Sequence, residues 1–352
     1  MIHRRSLILA IAALLGAACS HHSGATSEPA AATASLPLYD HLLVISVDGL
    51  RPDALDGASP SRLPCFARLL SGASTLDART DPDWTVTLPN HTGMMTGRFV
   101  EGADGHHWRQ NDVPPADQRL RNDVASIVNV AAEAGYRCAL FAAKPKFVLY
   151  PRSWNGQDTA SAAGPIHEFA IHTEAEQVVA AVVDFWEKNP SPARSLVFAH
   201  LREPDAAGHS QGWDLDPASP YSASVARVDA SLAALFVWLD ARPERSSRTA
   251  IVLTTDHGGG APLKNHHGES RIAVNFTIPF LVWTGDGRAS GDLYLSNQDS
   301  RAQPGALDPR PGDPGLPPIR NADAANLALA LLGLPAVPGS IVNVRQDLRI
   351  AQ

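Results

Sequence analysis

Four short stretches of the chain bring carboxylate and imidazole together: Asp48-Gly49, Asp205-Ala-Ala-Gly-His209, Asp256-His257 followed by Gly258-Gly-Gly260, and His266-His267-Gly268. Hard carboxylate oxygens mixed with borderline imidazole nitrogens are the donor set of zinc-like divalent ions. No Cys-x-x-Cys or Cys/His finger spacing occurs, so a metal here takes oxygen and nitrogen donors. Asp205 and His209 stand four apart, the spacing that puts two side chains on one face of a helical turn. Asp256 and His257 are adjacent and converge only through a turn, for which the glycine run supplies backbone freedom. Singly, an aspartate after an apolar run is a cap or turn residue, and an Asp-His pair is a solvated one. Four such segments, each followed by glycine, read together as a metal site.

A fifth stretch, Trp84-Thr-Val-Thr-Leu-Pro-Asn-His91, offers a nucleophile. Proline is favoured in the first turn of a helix, which predicts a helix over 89–96 with Thr87 at its mouth. Free N–H groups and the positive end of the helix dipole suit an anion there. The Thr87 hydroxyl either caps that helix or, with its pKa lowered, attacks a phosphoryl centre.

These residues need a frame. The apolar runs His41–Ser46, Arg137–Ala143, Ser195–Leu201, Ala250–Thr255 and Phe276–Trp283 read as buried strands. Asp48, Asp205 and Asp256 follow the ends of three of them. Between the strands lie helical patterns at 61–70, 123–134 (closed by Gly135), 221–240 and about 323–332. Another opens at the capping box Thr173-Glu-Ala-Glu176 and runs to about Lys188. Residues 286–320, rich in proline, read as loop. Alternating strands and helices predict an α/β class: a central, mostly parallel sheet with helices on both faces. Open sheets of this kind build their sites at the carboxyl ends of the strands.

The chain has 352 residues, 44% of them hydrophobic, enough for one large domain, expected at 38–352. Only 18% are charged and the net charge is -7, which argues against nucleic-acid or anionic-membrane binding through a basic surface. Arg4 and Arg5, the apolar run Leu7–Leu15 and the small residues Gly16-Ala17-Ala18 before Cys19 read as a secretory signal, residues 1–18. The junction resembles a bacterial lipoprotein lipobox, with Gly16 where leucine is usual. It implies export to the periplasm or an outer-membrane lipid anchor, plain cleavage being the alternative. Residues 19–37 are a polar, low-complexity tether. Cys65 and Cys138 either pair in an oxidising compartment or stay as buried thiols.

Ser46-Val-Asp-Gly-Leu-Arg51, Thr87-Leu-Pro-Asn-His91, Pro204-Asp-Ala-Ala-Gly-His209 and Thr255-Asp-His-Gly-Gly259 resemble the alkaline phosphatase superfamily, most closely its type I phosphodiesterase/nucleotide pyrophosphatase branch. The likeness runs in order from about residue 41 to 340. It implies two zinc ions, one held by Asp48, Asp256 and His257 and bound also by the Thr87 oxygen. Asp205, His209 and a later histidine hold the second. That histidine is His267, or alternatively His266, and it follows the Asp-His-Gly motif much sooner than in that branch. Asn111 matches the family's phosphate-contacting asparagine by order and spacing. The implied enzyme is a phosphodiesterase/pyrophosphatase-type hydrolase of small phosphate esters with a phospho-threonine intermediate on Thr87. Two cations stabilise the attacking and leaving oxygens, while Asn111 and the N–H near Leu88 hold the others.

A phosphomonoesterase, a phosphonoacetate hydrolase-like enzyme and a metal- or phosphate-binding lipoprotein are the alternatives. The sulfatase frame C/S-x-P-x-R is missing, since Cys65-Phe-Ala-Arg68 has no proline. Trp84, Trp108, Arg109, the segment 144–154 and loop 286–320 are the candidate walls of the substrate pocket. Lys144 and Lys146 are candidate contacts to a leaving group, although surface lysines are commonly only solvated.

Overall fold

Among the described residues the alternation of apolar and turn-forming segments resolves into eight strands in a single sheet. A computed structural model of the chain describes residues 38–351; the signal, Cys19 and the tether lie outside them. The strands are β1 (His41–Val47), β2 (Ala73–Arg79), β3 (Arg137–Ala142), β4 (Glu168–Ile171), β5 (Ser195–Leu201), β6 (Thr249–Thr254), β7 (Thr277–Thr284) and β8 (Gly291–Asp292). They lie in the order β4-β3-β5-β1-β6-β7-β2-β8. The run from β4 to β6 is parallel, and β7 is antiparallel to both its neighbours.

Every residue of β1, β5 and β6 is buried, because both faces of the sheet are covered. Leu42 and Val44 of β1 point into one core, with Leu88 and Met94 of α2 (Thr87–Thr96), Ile127 and Val128 of α3 (Ile127–Glu133) and Leu327 of the C-terminal helix Asp323–Leu331. Leu43, Ile45 and Val47 point into the other, with Phe66 of α1 (Pro64–Leu70), Val178 and Val182 of α4 (Ala175–Lys188) and Val228 and Leu232 of α6 (Pro220–Asp240). The strand period of two thus feeds two helical layers. Helix α6 is long and apolar enough to span a bilayer, yet Val225, Val228, Leu232, Leu235 and Leu239 are buried in this core.

Several expectations need correction. The capping box at Thr173 is not formed. Helix α4 begins at Ala175, whose N–H is capped by the Glu203 carboxylate from another part of the chain. A reciprocal Ser/Asn box instead opens α3, where Ser126 accepts from the third residue and Asn129 Oδ1 accepts from Ser126 N–H. The stretch 286–320 is not all loop: β8 leads into a short helix, Leu293–Ser296, capped by Asp292. Cys65 and Cys138 are separate, buried free thiols.

Candidate metal centre and nucleophile

Four adjacent parallel strands, β3, β5, β1 and β6, end on the same side of the sheet, and each releases a charged residue there. In that spatial order the residues are Lys144, Asp205, Asp48 and Asp256 with His257. Asp205 lies in the first turn of α5 (Glu203–Gln211), so His209 falls one turn later on the same face, its Nε2 3.3 Å from Asp205 Oδ1. His267 comes in from the loop after β6. Its Nε2 stands 3.1 Å from His209 Nε2 and 3.9 Å from Asp205 Oδ1. His266 is exposed, and its carbonyl accepts from Gly260 N–H.

The donors form two groups that share one residue. Asp48, Asp256 and His257 are one; Asp205 and His267 form the other with His257, and His209 adjoins it. His257 Nε2 lies 3.6 Å from Asp48 Oδ1, 3.3 Å from Asp256 Oδ2 and 3.9 Å from Asp205 Oδ1. It therefore stands between the groups rather than in one alone.

Each carboxylate is anchored by one oxygen and leaves the other without a hydrogen bond. Asp48 Oδ2 accepts from His200 Nε2 (2.8 Å) and pairs with Lys144 Nζ (2.6 Å). Asp205 Oδ2 accepts from the same ammonium (2.6 Å). Asp256 Oδ1 accepts from Gly49 N–H (3.1 Å) and His257 N–H (3.0 Å). The remaining atoms, Asp48 Oδ1, Asp205 Oδ1, Asp256 Oδ2 and His257 Nε2, are buried and make no hydrogen bond. Buried polar atoms without partners are costly, and four of them aimed at one place fit divalent cations. The imidazoles agree. His209, His257 and His267 each place Nδ1 on a backbone carbonyl, of Asn265, Gly258 and Thr85, which directs Nε2 to the centre.

Burial alone would raise the pKa of Asp48, but Lys144 and His200 outweigh it and hold the carboxyl well below its usual range. Asp256 is pushed well above its usual value by burial and by the charge of Asp48. Burial, helped by His257, lowers His267 to about 3, so it stays neutral. Three carboxylates in one dry pocket thus cannot all ionise without further positive charge.

Thr87 is the first residue of α2, one turn earlier than Pro89 alone suggests, and Val86 occupies the cap position. Its hydroxyl caps nothing: among the described residues its one hydrogen-bond partner is Lys144 Nζ at 3.4 Å. The N–H of Leu88 is not free for substrate, because it donates to Asn111 Oδ1 at 2.9 Å. That bond fixes Asn111 at the helix mouth and leaves its amide nitrogen without a hydrogen-bond partner among the described residues.

Trp213, which sequence reasoning passed over, locks these segments together. Its Nε1 donates to Gly49 O at 2.9 Å. A Cβ added at Gly208 or Gly259 would stand 2.3 or 2.4 Å from its ring. These glycines therefore serve close approach; of the 258–260 run only Gly260 has positive φ. His200 and Lys144 were also undervalued. The signal for Lys144 was its place directly after an apolar strand, the same place that marked Asp48 and Asp256.

The expected pocket walls divide. Glu101 accepts from Trp84 Nε1 (3.1 Å) and Arg109 Nε (2.7 Å), so this pair forms a tied rim and Arg109 is already neutralised. Trp108 is buried. Phe147 and Tyr150 are core residues against His91, His200 and Trp154 rather than wall. From loop 286–320, Arg310 reaches Asp83 Oδ1 at 2.5 Å. Two surface cavities elsewhere, of about 460 and 640 Å³, contain none of the donor residues.

The family described as type I phosphodiesterase/nucleotide pyrophosphatase matches residues 42–272. Among solved structures the chain is similar to a 2-O GAG sulfatase, with a TM-score of 0.60 and 14% identity over 90% of this chain and 75% of that one. It is similar also to a protein of the alkaline phosphatase superfamily from Vibrio parahaemolyticus (0.55, 12%, 89% and 71%). A third is the C-terminal periplasmic domain of EptC from Escherichia coli in complex with Zn (0.51, 13%, 86% and 85%). At these identities the likeness establishes the fold. No curated protein matches the chain.

Proposed function

The chain belongs to the type I phosphodiesterase/nucleotide pyrophosphatase family, within the hydrolases of the alkaline phosphatase superfamily, and on that premise we propose that it is a zinc-dependent phosphodiesterase acting through Thr87. The observation that carries this reading is the uncapped Thr87 hydroxyl at a helix N-terminus beside the cluster of unpartnered donor atoms. Asp48, Asp256 and His257 would hold one divalent ion and Asp205, His209 and His267 a second, which when bound would supply Lewis-acid stabilisation of the attacking and leaving oxygens. Thr87 Oγ1 attacks phosphorus and the bond to the leaving alcohol breaks, giving a phospho-threonine that still carries the second ester group. Water then cleaves the bond from phosphorus to Oγ1 and restores the hydroxyl. The Lys144 ammonium beside Oγ1 favours its deprotonated form, and the Asn111 amide is placed to donate to a non-bridging oxygen.

The test is the hydrolysis of bis-p-nitrophenyl phosphate and p-nitrophenyl phosphate by the purified protein, with zinc and after chelation. A chelator-sensitive preference for the diester is expected. Preference for the monoester moves the activity to the phosphatase branch, and no turnover of either ester by the zinc-loaded protein contradicts the reading.

One observation favours a second reading. Among the described residues Lys146 makes no ion pair, and burial, then the charge of Lys144, lower its pKa from the ordinary lysine value. A leaving group that itself carries an anion, as in a phosphonoacetate-type substrate, would use that cation. Faster turnover of such substrates, lost in Lys146→Met, supports it. The N-terminal pattern further supports an exported, lipid-anchored protein, which fractionation of cells carrying Cys19→Ser would test.

A further inference from the structure

Lys144 does more than line the site. Its ammonium lies 2.6 Å from Asp48 Oδ2 and 2.6 Å from Asp205 Oδ2, one carboxylate from each donor group. The other oxygen of each, Oδ1, is the atom left without a partner and lies within 4 Å of His257 Nε2. The two carboxylates are thus divided in the same way: one oxygen to the lysine, one to the metal locus. The side chain is only 16% exposed, so water screens this charge weakly.

We propose that Lys144 is an internal surrogate cation that bridges the two metal groups. It keeps the metal-free site assembled by pairing a carboxylate from each half, and it occupies only the outer oxygens, so metal entry does not require it to leave. Three buried carboxylates without a counter-charge would repel one another and drive the strand ends apart. Once metal is present the same ammonium sits beside cations and opposes them. The residue therefore trades metal affinity for integrity of the empty site, which limits how far the protein depends on metal to fold. This rests on the metal reading given above.

The test compares wild type, Lys144→Met, Lys144→Gln and Lys144→Arg as full-length protein stripped by chelation. Thermal melting and competitive zinc titration are the readouts, so neither depends on turnover. For Lys144→Met the metal-free form is expected to melt lower by about 2–6 °C, while zinc binds about tenfold more tightly or better. The zinc-induced rise in Tm grows accordingly. Lys144→Gln, the milder variant if methionine prevents folding, is expected to shift both in the same directions by less. Lys144→Arg keeps the charge and is expected to match wild type. Zinc affinity that is unchanged or weaker in folded Lys144→Met or Lys144→Gln overturns the proposal while leaving the metal reading intact. Failure of wild type to bind zinc overturns both.

Discussion

The two halves of the donor cluster differ in their access to water. Asp48, Asp256 and His257 have no solvent exposure at all, whereas the group around Asp205 opens through His209, whose side chain is half exposed. The inner half is pinned by backbone N–H groups and by His200, all within or directly beyond the parallel strands. The outer half depends on one helical turn and on a loop histidine tethered to Thr85. One face of this site is framework and the other is entrance, so an ion bound within is expected to be retained and one bound at His209 to exchange.

Breaking the inner half should have the largest effect. Asp256→Asn is expected to lower zinc content from two ions per chain to one and to reduce diester hydrolysis by at least about 10³-fold, read by elemental analysis and kinetics. Trp213→Ala removes the ring that holds both halves at once. Its loss from a buried site is expected to cost about 3–5 kcal/mol of stability, measured by denaturant unfolding, and to weaken both ions together. His209→Ala touches only the entrance. Zinc affinity of one site is expected to fall by about 100-fold, with activity restored by excess zinc, which Asp256→Asn should not allow. Rescue of Asp256→Asn by zinc would erase the distinction between the halves.

The effect least felt at neutral pH concerns stability away from the donors. Burial holds His41 and His106 neutral, each lowered to about 3. Between that value and the ordinary pKa near 6.5 the unfolded chain binds protons that the folded one does not, so stability falls as pH drops through this window. Each group lowers stability by up to about 5 kcal/mol across this window. His106→Gln should flatten the acid limb of the melting profile without altering zinc content.

Much of this was legible in the chain because the framework half is local. An apolar run that ends in Asp48, or in Asp256-His257, announces both the strand and the residue it delivers. The four-residue step from Asp205 to His209 announces the helical turn. What escaped depends on distant pairings. His200 looks like one more residue of a buried strand, and Trp213 has no local pattern that ties it to Gly49, Gly208 and Gly259. The start of α4 was misread because its cap comes from Glu203, beyond the reach of any local box. Strand β2 was missed because its alternation is broken by a register shift between Thr75 and Ala78, and β4 because it is a half-buried edge.

The most direct test of the account is to stop diester turnover by acid quench in the zinc-loaded protein and to map the adduct by mass spectrometry. Phosphorus with its remaining ester group is expected on Thr87 alone, and neither adduct nor turnover in Thr87→Ala that still binds zinc. Full activity in Thr87→Ala, or an adduct on another residue, would contradict it.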